Sequence, residues 1–251
     1  MMRRWFAALA AVGMALAGVA AGTAAALAAS APPCTAMNAS SRASYTGLQT
    51  AVNAAAAGDE VVVGGTCTGT VSVTKNLTIT GRANSPTLDG GHGRSVLRIA
   101  ANVSVTLDKL VITNGSSSLA PNGAGITNMG TVTLQDSTVT GNTGVDGGGI
   151  FNDFSGTVIL NGSTTVTGNI AANGGGIVNF GTVTMNGGSK VTGNTATSLG
   201  GGIDNLGAVT MNGGSNVTGN TAQQGGGIYN RGTLVGAVAE HNVSDNIFPP
   251  K

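Results

Sequence analysis

Short runs of alternating hydrophobic and polar residues follow one another along most of this chain. In GTVTM, residues 181–185, Val183 and Met185 fall on one side of an extended backbone and the two threonines fall on the other. An alternation of period two is the pattern of a β-strand with one buried face. Glycine and asparagine, which favour turns, separate these runs. The pattern therefore predicts many short strands joined by tight turns.

The alternating pattern recurs at a nearly constant distance. The isoleucine of a GGGI motif returns at Ile150, Ile177, Ile203 and Ile228, and a related GAGI motif places Ile126 before them. A second apolar column consists of Leu134, Leu160, Met185 and Met211, and a third of Val139, Val166, Val191, Val217 and Val243. Columns that share one period are typical of a stacked array, in which each repeat buries its apolar face against its neighbours.

Each repeat contains three strand-like pieces, such as GGIVN, GTVTM and SKVTGN. A period of roughly 25 residues with three short strands fits one coil of a parallel β-helix. A leucine-rich repeat is excluded because its Leu-x-x-Leu-x-Leu run is absent, and a WD propeller because its blade needs about 40 residues and a Trp-Asp signature. We therefore expect an all-β solenoid of about seven coils over residues 61–248.

The region from residue 44 to residue 248 resembles the right-handed parallel β-helix of the pectin-lyase-like superfold. Its opening segment, residues 47–81, is similar to the usual start of such proteins, with a short helix, a Gly-Asp turn and then the first coils. The GGGI and VTGN elements also resemble the GGA[ILV] and FxxN repeats of polymorphic outer-membrane and autotransporter-passenger proteins, with Gly in place of Ala and Val in place of Phe. The resemblance implies a single-stranded, right-handed coil.

The N-terminal segment 1–30 has the pattern of a secretory signal peptide. Two arginines precede an Ala-rich apolar stretch, and Ala-x-Ala sites follow, the plainest at Ala26-Leu27-Ala28. A retained membrane anchor is the alternative, because the apolar stretch is long. Cys34 follows APP rather than a lipobox, so we do not expect a lipid anchor. The mature chain is expected to be secreted or held at the cell surface, with no membrane span.

The next segment, residues 31–60, is expected to cap the solenoid. Leu48, Ala51, Val52 and Ala55 have the spacing of one helical face, and Gly58 follows as a stop signal. Such a helix would lie across the open end of the first coil and cover its unpaired strand edges.

Cys34 and Cys67 are the two cysteines of the chain. In an oxidising compartment we expect them to form one disulfide that ties the N-terminal segment to the first coil, with two separate thiols as the alternative. At the other end, VAEHNVSDNIFPPK brings charge and two prolines, and we interpret it as the last coil and its stop. No translocator follows it, so self-transport through an outer membrane is not expected.

Composition favours an extracellular β-array. The chain has 43 Gly in 251 residues, 3% aromatic residues and 8% charged residues, which leaves few large side chains for an ordinary globular core. Without Arg3 and Arg4, nine Lys or Arg stand against ten acidic residues, giving a net charge near −1. A nucleic-acid-binding surface is therefore not expected.

Asparagine forms two further columns, which we interpret as structural. The first consists of Asn128, Asn152, Asn179, Asn205 and Asn230, and the second of Asn114, Asn142, Asn169, Asn194, Asn220 and Asn246. Stacked asparagine side chains at the corners of coils hydrogen-bond to one another and to turn backbone. Glycan contacts, or sequons such as that at Asn216, are the alternative.

Enzymes of the superfold include pectate lyases and polygalacturonases, whose chemistry needs clustered carboxylates beside a basic residue. Here the acids are scattered between columns, at Asp136, Asp146, Asp153 and Asp204. The GGHGR segment around His92 resembles the Gly-His-Gly of polygalacturonases but lacks their other elements. We therefore predict no catalytic, cofactor-binding or metal-binding residue and no cofactor, and we expect His92 in an exposed turn.

One outward surface is a further candidate. Thr131, Thr157, Thr182, Ala208 and Thr233 run beside Thr133, Ile159, Thr184, Thr210 and Val235, which predicts an uncharged surface that could face ice or a glycan. The alternative is that threonine simply suits an exposed strand. The sequence thus favours a non-catalytic, adhesin-like module, either structural or binding extracellular glycans or host-surface components. A carbohydrate-active enzyme, a lyase or a glycoside hydrolase, is the alternative.

Overall fold

The part of the chain that the structure describes is a parallel β-solenoid of about six turns with one helix, close to the seven coils expected. The structure, a computed structural model, describes residues 31–82, 85–118, 123–236, 239–242 and 245–248. The signal peptide predicted for residues 1–30 lies outside the described residues.

Four sheets make up the solenoid. Sheets 1, 2 and 3 are numbered by their order along a coil, and the shorter sheet 4 is numbered last. Sheet 1 contains Ser44–Tyr45, Thr35–Asn38, Glu60–Gly64, Leu77–Gly81, Ser104–Asp108, Thr131–Gln135, Thr157–Asn161, Thr182–Met185, Ala208–Met211 and Thr233–Val235. Sheet 2 contains Thr66–Thr68, Thr87–Asp89, Val111–Thr113, Thr138–Thr140, Thr165–Thr167, Lys190–Thr192, Asn216–Thr218 and Ala239–Glu240. Sheet 3 contains Val71–Val73, Leu97–Ile99, Ile126–Asn128, Ile150–Asn152, Ile177–Asn179, Ile203–Asn205, Ile228–Asn230 and Ile247–Phe248. Sheet 4 contains Ser116–Ser117, Thr143–Gly144, Ile170–Asn173 and Thr195–Leu199.

The predicted apolar columns form the core in the predicted register. Each isoleucine of the GGGI column pairs with the next one across parallel strands of sheet 3, from Ile126 to Ile228. The leucine and methionine column does the same in sheet 1, and the valine column does so in sheet 2 from Val139 to Val217. All five isoleucines are fully buried. Because a slip of one residue would turn every side chain outward, burial of one face fixes this register.

Sheet 4 was not expected from the sequence, and it explains the glycine triplets. Its four described strands lie between sheets 2 and 3 along successive coils, and the last three are each followed by the triplet that leads into sheet 3. Gly174 has a φ of +56°, and a Cβ there would lie 2.5 Å from Cγ2 of Val178 on the outer face of sheet 3. The outer residues Phe151 and Val178 are accordingly buried. The triplet is therefore the place where the chain passes against the outer face of sheet 3 without room for a side chain.

The predicted capping helix is present as Leu48–Ala54. Leu48, Ala51, Val52 and Ala55 are all buried and belong to the same apolar cluster as the inward columns. Gly58, which was expected to stop the helix, has a φ of +88°. The helix contacts the first strands of sheets 1 and 3, so it covers the apolar interior at the N-terminal end.

In sheets 1, 2 and 3 the backbone at the N-terminal edge is also hydrogen-bonded, by a different partner in each sheet. In sheet 1, Thr35–Asn38 pairs antiparallel with Glu60–Gly64. In sheet 2, the amide of Thr66 donates to the carbonyl oxygen of Pro32 at 2.9 Å. In sheet 3, the side-chain amide of Gln49 accepts from the Ser72 amide at 2.7 Å and donates to its carbonyl oxygen at 3.2 Å. These bonds satisfy backbone groups that an open edge would offer to another chain.

The disulfide between Cys34 and Cys67 is confirmed, and among the described residues no free cysteine remains. Cys67 is buried in the first strand of sheet 2, and Cys34 directly precedes the antiparallel strand of sheet 1. The bond therefore ties the cap to the first coil, as expected.

The last coil is shorter than the repeat predicted. Val217 pairs with Ala239 in sheet 2 rather than with a residue one full repeat later, so the valine column ends in an alanine. Val243, the residue expected there, lies outside the described residues. Ile247 and Phe248 pair with Ile228 and Tyr229, so this segment forms the last strand of sheet 3.

Replacement of one inward isoleucine should lower stability sharply. Ile177→Ala opens a cavity in a column whose neighbours cannot collapse without breaking register, so we expect a loss of about 2–5 kcal/mol in the free energy of unfolding. Ile170→Ala is the matched control, because Ile170 is 48% exposed on sheet 4, and its change should stay within about 0.5 kcal/mol. Denaturant unfolding followed by circular dichroism measures both. Equal losses in the two variants would contradict the inward register.

Candidate functional site

Two ladders of buried asparagine run along the corners of the coils. In the first, Nδ2 of each asparagine from Asn128 to Asn205 donates to Oδ1 of the next one at 2.7–2.8 Å, ending at Asn230. In the second, Asn142, Asn169, Asn194 and Asn220 are linked in the same way at 2.9–3.0 Å. The donors also bond backbone carbonyls, such as that of Val139. The ladders are polar components of the interior.

The second ladder differs from its predicted column at both ends. Asn220 donates to Asn242, not to Asn246, because the last coil is shorter than the repeat. Asn246 instead accepts from Asn242 within that coil. At the other end, Gly115 holds the ladder position and its amide donates to Oδ1 of Asn142. Asn114 has a φ of +57° and pairs with Asp89, so the predicted column is wrong at this residue by one position.

A third, more exposed ladder was missed in the sequence. Asn212 donates to Asn186, and Asn186 donates to Asn161, both at 3.0 Å, along one side of sheet 1. The signal was present, because these three residues have the same spacing as those of the other ladders.

The acidic residues are less isolated than the columns suggested. Asp204 accepts from Nη2 of Arg231 at 3.1 and 3.2 Å. Asp146, on a different column, lies close enough for its charge to raise the pKa of Asp204. Asp204 is therefore not isolated, because Arg231 reaches it from a neighbouring column.

Burial decides what this pair can do. The pKa of Asp204 is raised chiefly by burial, while the Arg231 hydrogen bond and charge act in the opposite direction. Its side chain is only 4% exposed, whereas that of Arg231 is 44% exposed. A general acid must reach the oxygen of the bond to be cleaved within hydrogen-bond distance, and Asp204 lies beneath the chain around Gly200. Asp204 and Arg231 are thus the residue types of an acid–base site, but a substrate cannot reach the Asp204 carboxyl group.

The other acids hold turns together. The amide and hydroxyl of Ser163 donate to Asp136 at 2.8 and 2.9 Å and, with Gln135, lower its pKa. Asp146 accepts from Asn173, and the amide of Asp153 donates to the carbonyl oxygen of Asn128.

The GGHGR segment forms an exposed turn. His92 has a φ of +57°, is exposed, and its amide donates to the carbonyl oxygen of Asn114. This is the environment predicted for it.

The predicted threonine surface lies on the outer face of sheet 1. Its two columns are in the expected register from Thr131 to Thr233 and from Thr133 to Val235, and all their members are at least partly exposed. Ala208 interrupts the first column, and Ile159 and Val235 interrupt the second.

A longer and unbroken threonine ladder lies on the outer face of sheet 2. Thr140 pairs with Thr167, Thr167 with Thr192, and Thr192 with Thr218. Thr113 holds the same position one coil earlier. Beside it runs a second column, Thr138, Thr165, Lys190 and Asn216. We call these two columns the threonine face. All of these side chains are partly or largely exposed. The sequence predicts SKVTGN as one of the strand-like pieces, but this outward column was not identified from it.

An aromatic ridge stands at the corner between sheets 3 and 1. The loop after Asn152 is longer than the equivalent loop after Asn179, and it presents Phe154, which is 77% exposed. The Phe154 ring lies 4.7 Å from that of Phe180, which lies 5.6 Å from that of Phe151. The ridge is an exposed apolar feature on an otherwise polar surface.

Comparison with family models, with curated proteins and with solved structures gives no match. The fold assignment therefore rests on the structure itself, and the resemblances to pectin-lyase-like and autotransporter proteins stay predictions. Within the described part of the chain, no group of three His, Cys, Asp or Glu side chains is placed to hold a metal ion. No helix in the same part has the length and hydropathy needed to cross a membrane.

Loss of one rung from the buried ladder should be costly. Asn169 is fully buried, donates to Val139, Thr167 and Asn194, and accepts from Asn142. Asn169→Ala leaves several of these groups without a partner, so we expect a loss of more than about 2 kcal/mol. Asn212→Ala, in the exposed ladder, should lose about 0.5 kcal/mol or less. Thermal and denaturant unfolding compare the two, and similar losses would show that the ladders contribute nothing specific.

Asp204 should make the protein less stable as the pH rises. Because its folded pKa is raised, the unfolded chain releases this proton first, and stability falls as the pH rises above about 3.9, the ordinary Asp value. Asp204→Asn removes the pH-dependent contribution of Asp204 to stability, and Arg231, which is partly exposed, can then be solvated by water. The free energy of unfolding of the parent minus that of the variant, measured from pH 4 to pH 7, should decrease with pH. A constant or increasing difference would show that Arg231 outweighs burial.

Proposed function

We propose that this protein is a non-catalytic, secreted or cell-surface β-solenoid that binds a repeating extracellular polysaccharide through its threonine face. The observation that carries the proposal is the unbroken ladder from Thr113 to Thr218 on sheet 2. It presents the same hydroxyl and methyl group once per coil, about 4.8 Å apart. A ligand that repeats its own groups is the natural counterpart of such a surface.

The chemistry of threonine supports this assignment. Each hydroxyl donates one hydrogen bond and accepts others, and each methyl group offers a small apolar contact. A single hydrogen bond contributes only about 0.5–1.5 kcal/mol. Repetition along the ladder allows many weak contacts to act together on one polymer.

The enzyme alternative is disfavoured because the Asp204 carboxyl group is buried, not because acidic and basic residues are absent. Asp204, Asp146 and Arg231 provide two carboxylates and a cation, but Asp204 is 3% exposed. The side chains of the threonine face itself are neutral except Lys190, and Asp89, which continues the threonine ladder one coil earlier, has no second carboxylate beside it in the face. Neutral side chains bind sugars but supply neither the proton transfer nor the metal site that speeds glycosidic cleavage.

Two observations support an extracellular location. The cap is closed by a disulfide, which persists in oxidising compartments. The N-terminal segment 1–30 has the pattern of a signal peptide.

Removal of hydroxyls from the threonine face should abolish most of the binding. The triple variant Thr140→Val, Thr167→Val and Thr192→Val keeps side-chain shape and strand propensity but removes three donors. We expect its affinity for polysaccharides retained by the parent on a glycan array to fall at least tenfold, which is about 1.4 kcal/mol. The control is Thr131→Val, Thr157→Val and Thr182→Val on sheet 1, which should bind as the parent does.

Three results would contradict the proposal. The parent retains no polysaccharide on the array, or both triple variants lose affinity equally, or the parent releases shortened products that Asp204→Asn no longer releases. The last result would identify the protein as a carbohydrate-active enzyme.

A further inference from the structure

A cationic cleft lies where sheet 4 begins. Its volume is about 270 Å³, and its walls are Gly93, Arg94, Ser95, Arg98, Ser116, Ser117 and Ser118. Arg98 projects from the outer face of the sheet 3 strand Leu97–Ile99, and the serines belong to the first strand of sheet 4 or its flank. The cleft is therefore the space between the outer face of sheet 3 and the inner side of sheet 4.

The same space is filled in the later coils. The column that starts at Arg98 continues as Thr127, Phe151 and Val178, all buried. The sheet 4 column that starts at Ser117 continues as Gly144, Ala171 and Ala196, and both alanines are buried. Buried side chains thus fill the space beside Phe151 and Val178, whereas at the first strand of sheet 4 it is open. There, two guanidinium groups and several hydroxyls line an opening.

Neither arginine of the cleft forms an ion pair within the described part of the chain. The described ion pairs are Lys109 with Asp108 and Arg231 with Asp204, so neither Arg94 nor Arg98 is paired with a described carboxylate. The contrast with Asp204 is direct, because Asp204 and Arg98 occupy the same column of sheet 3. Asp204, which is buried, is paired with Arg231, whereas Arg98, which lines the open cleft, forms no ion pair with a described carboxylate.

The chemistry of the walls selects the ligand. A guanidinium group binds phosphate or sulfate oxygens through two parallel hydrogen bonds, and serine hydroxyls donate to the remaining oxygens. Ser95 is 2% exposed, and its hydroxyl is fixed by the carbonyl oxygen of Gly123 and the hydroxyl of Thr127, so this wall is rigid.

We propose that the cleft formed by Arg94, Arg98 and the surrounding serines is a binding site for a sulfate or phosphate group. The site is separate from the threonine face and adds a charged contact that the neutral face does not provide. The group is either a free anion or a substituent of an extracellular polymer.

Titration of the full mature chain with sodium sulfate and with inorganic phosphate tests the site. Isothermal calorimetry should show one saturable site, and either anion should raise the Tm above that in sodium chloride of equal ionic strength. Arg98→Gln should weaken binding at least tenfold, and Arg98→Lys should recover only part of it, because lysine keeps the charge but not the two-bond geometry. Arg82→Gln, at an exposed position outside the cleft, removes the same charge and should bind as the parent does.

Dextran sulfate and neutral dextran distinguish the two sources. If the parent retains dextran sulfate but not neutral dextran, and Arg98→Gln no longer retains it, the ligand is a group on a polymer. If the parent binds inorganic sulfate or phosphate but does not retain dextran sulfate, the ligand is a free anion. Equal stabilisation by chloride, or unchanged binding in both Arg98→Gln and Arg94→Gln, would overturn the site. The threonine-face variants should bind sulfate normally, so failure of one proposal is separable from failure of the other.

Discussion

The close approach of backbones at the glycine triplets is the constraint on which the remaining structure depends. The amides of Gly174, Gly175 and Gly176 donate to carbonyl oxygens of the next coil, those of Leu199, Gly200 and Gly201. A Cβ at Gly176 would lie 2.6 Å from the carbonyl oxygen of Gly202, so any side chain would push the coils apart. With the coils held at this distance, every residue lies directly beside its counterpart in the next coil. The columns follow from that alignment.

The alignment of identical residues in successive coils allows polar side chains to be buried inside the solenoid without losing their hydrogen bonds. An amide side chain carries both a donor and an acceptor, so an asparagine beside an identical asparagine satisfies it, as Asn152 and Asn179 do. The same alignment outside the solenoid turns a preference for threonine in strands into a continuous row of hydroxyls. One geometric condition thus produces the apolar core, the buried ladders and the threonine face.

The sequence was most informative about which face of each element is buried. The inward columns, their register and the capping helix were predicted correctly, because period and alternation report that face directly. Irregularities at the two ends of the solenoid were missed. The antiparallel strand Thr35–Asn38 has no counterpart in another coil, and the replacement of Asn246 by Asn242 follows from one shortened coil.

The candidate sites were harder to predict for a related reason. When the sequence is analysed one column at a time, Arg231 and Asp204 fall in different columns, although they form an ion pair. Arg94 and Arg98 are separated in the same way, although both line one cleft. Sheet 4 was the other obstacle, because its short strands contain small residues such as Ala171 and Ala196 and show little apolar contrast. Without sheet 4, neither the buried outer face of sheet 3 nor the cleft at its start is visible.

The glycine triplets also determine how such a chain can change in length over generations. The segment from Ile150 to Gly176 is one whole repeat and contains one complete set of columns. An in-frame duplication of this segment would insert a whole coil whose isoleucine, asparagine and threonine each meet an identical neighbour on both sides. A duplication that did not contain a whole coil would place side chains where the triplets leave no room. The gene can therefore gain or lose coils in one step, and a longer version would carry a proportionally longer threonine row.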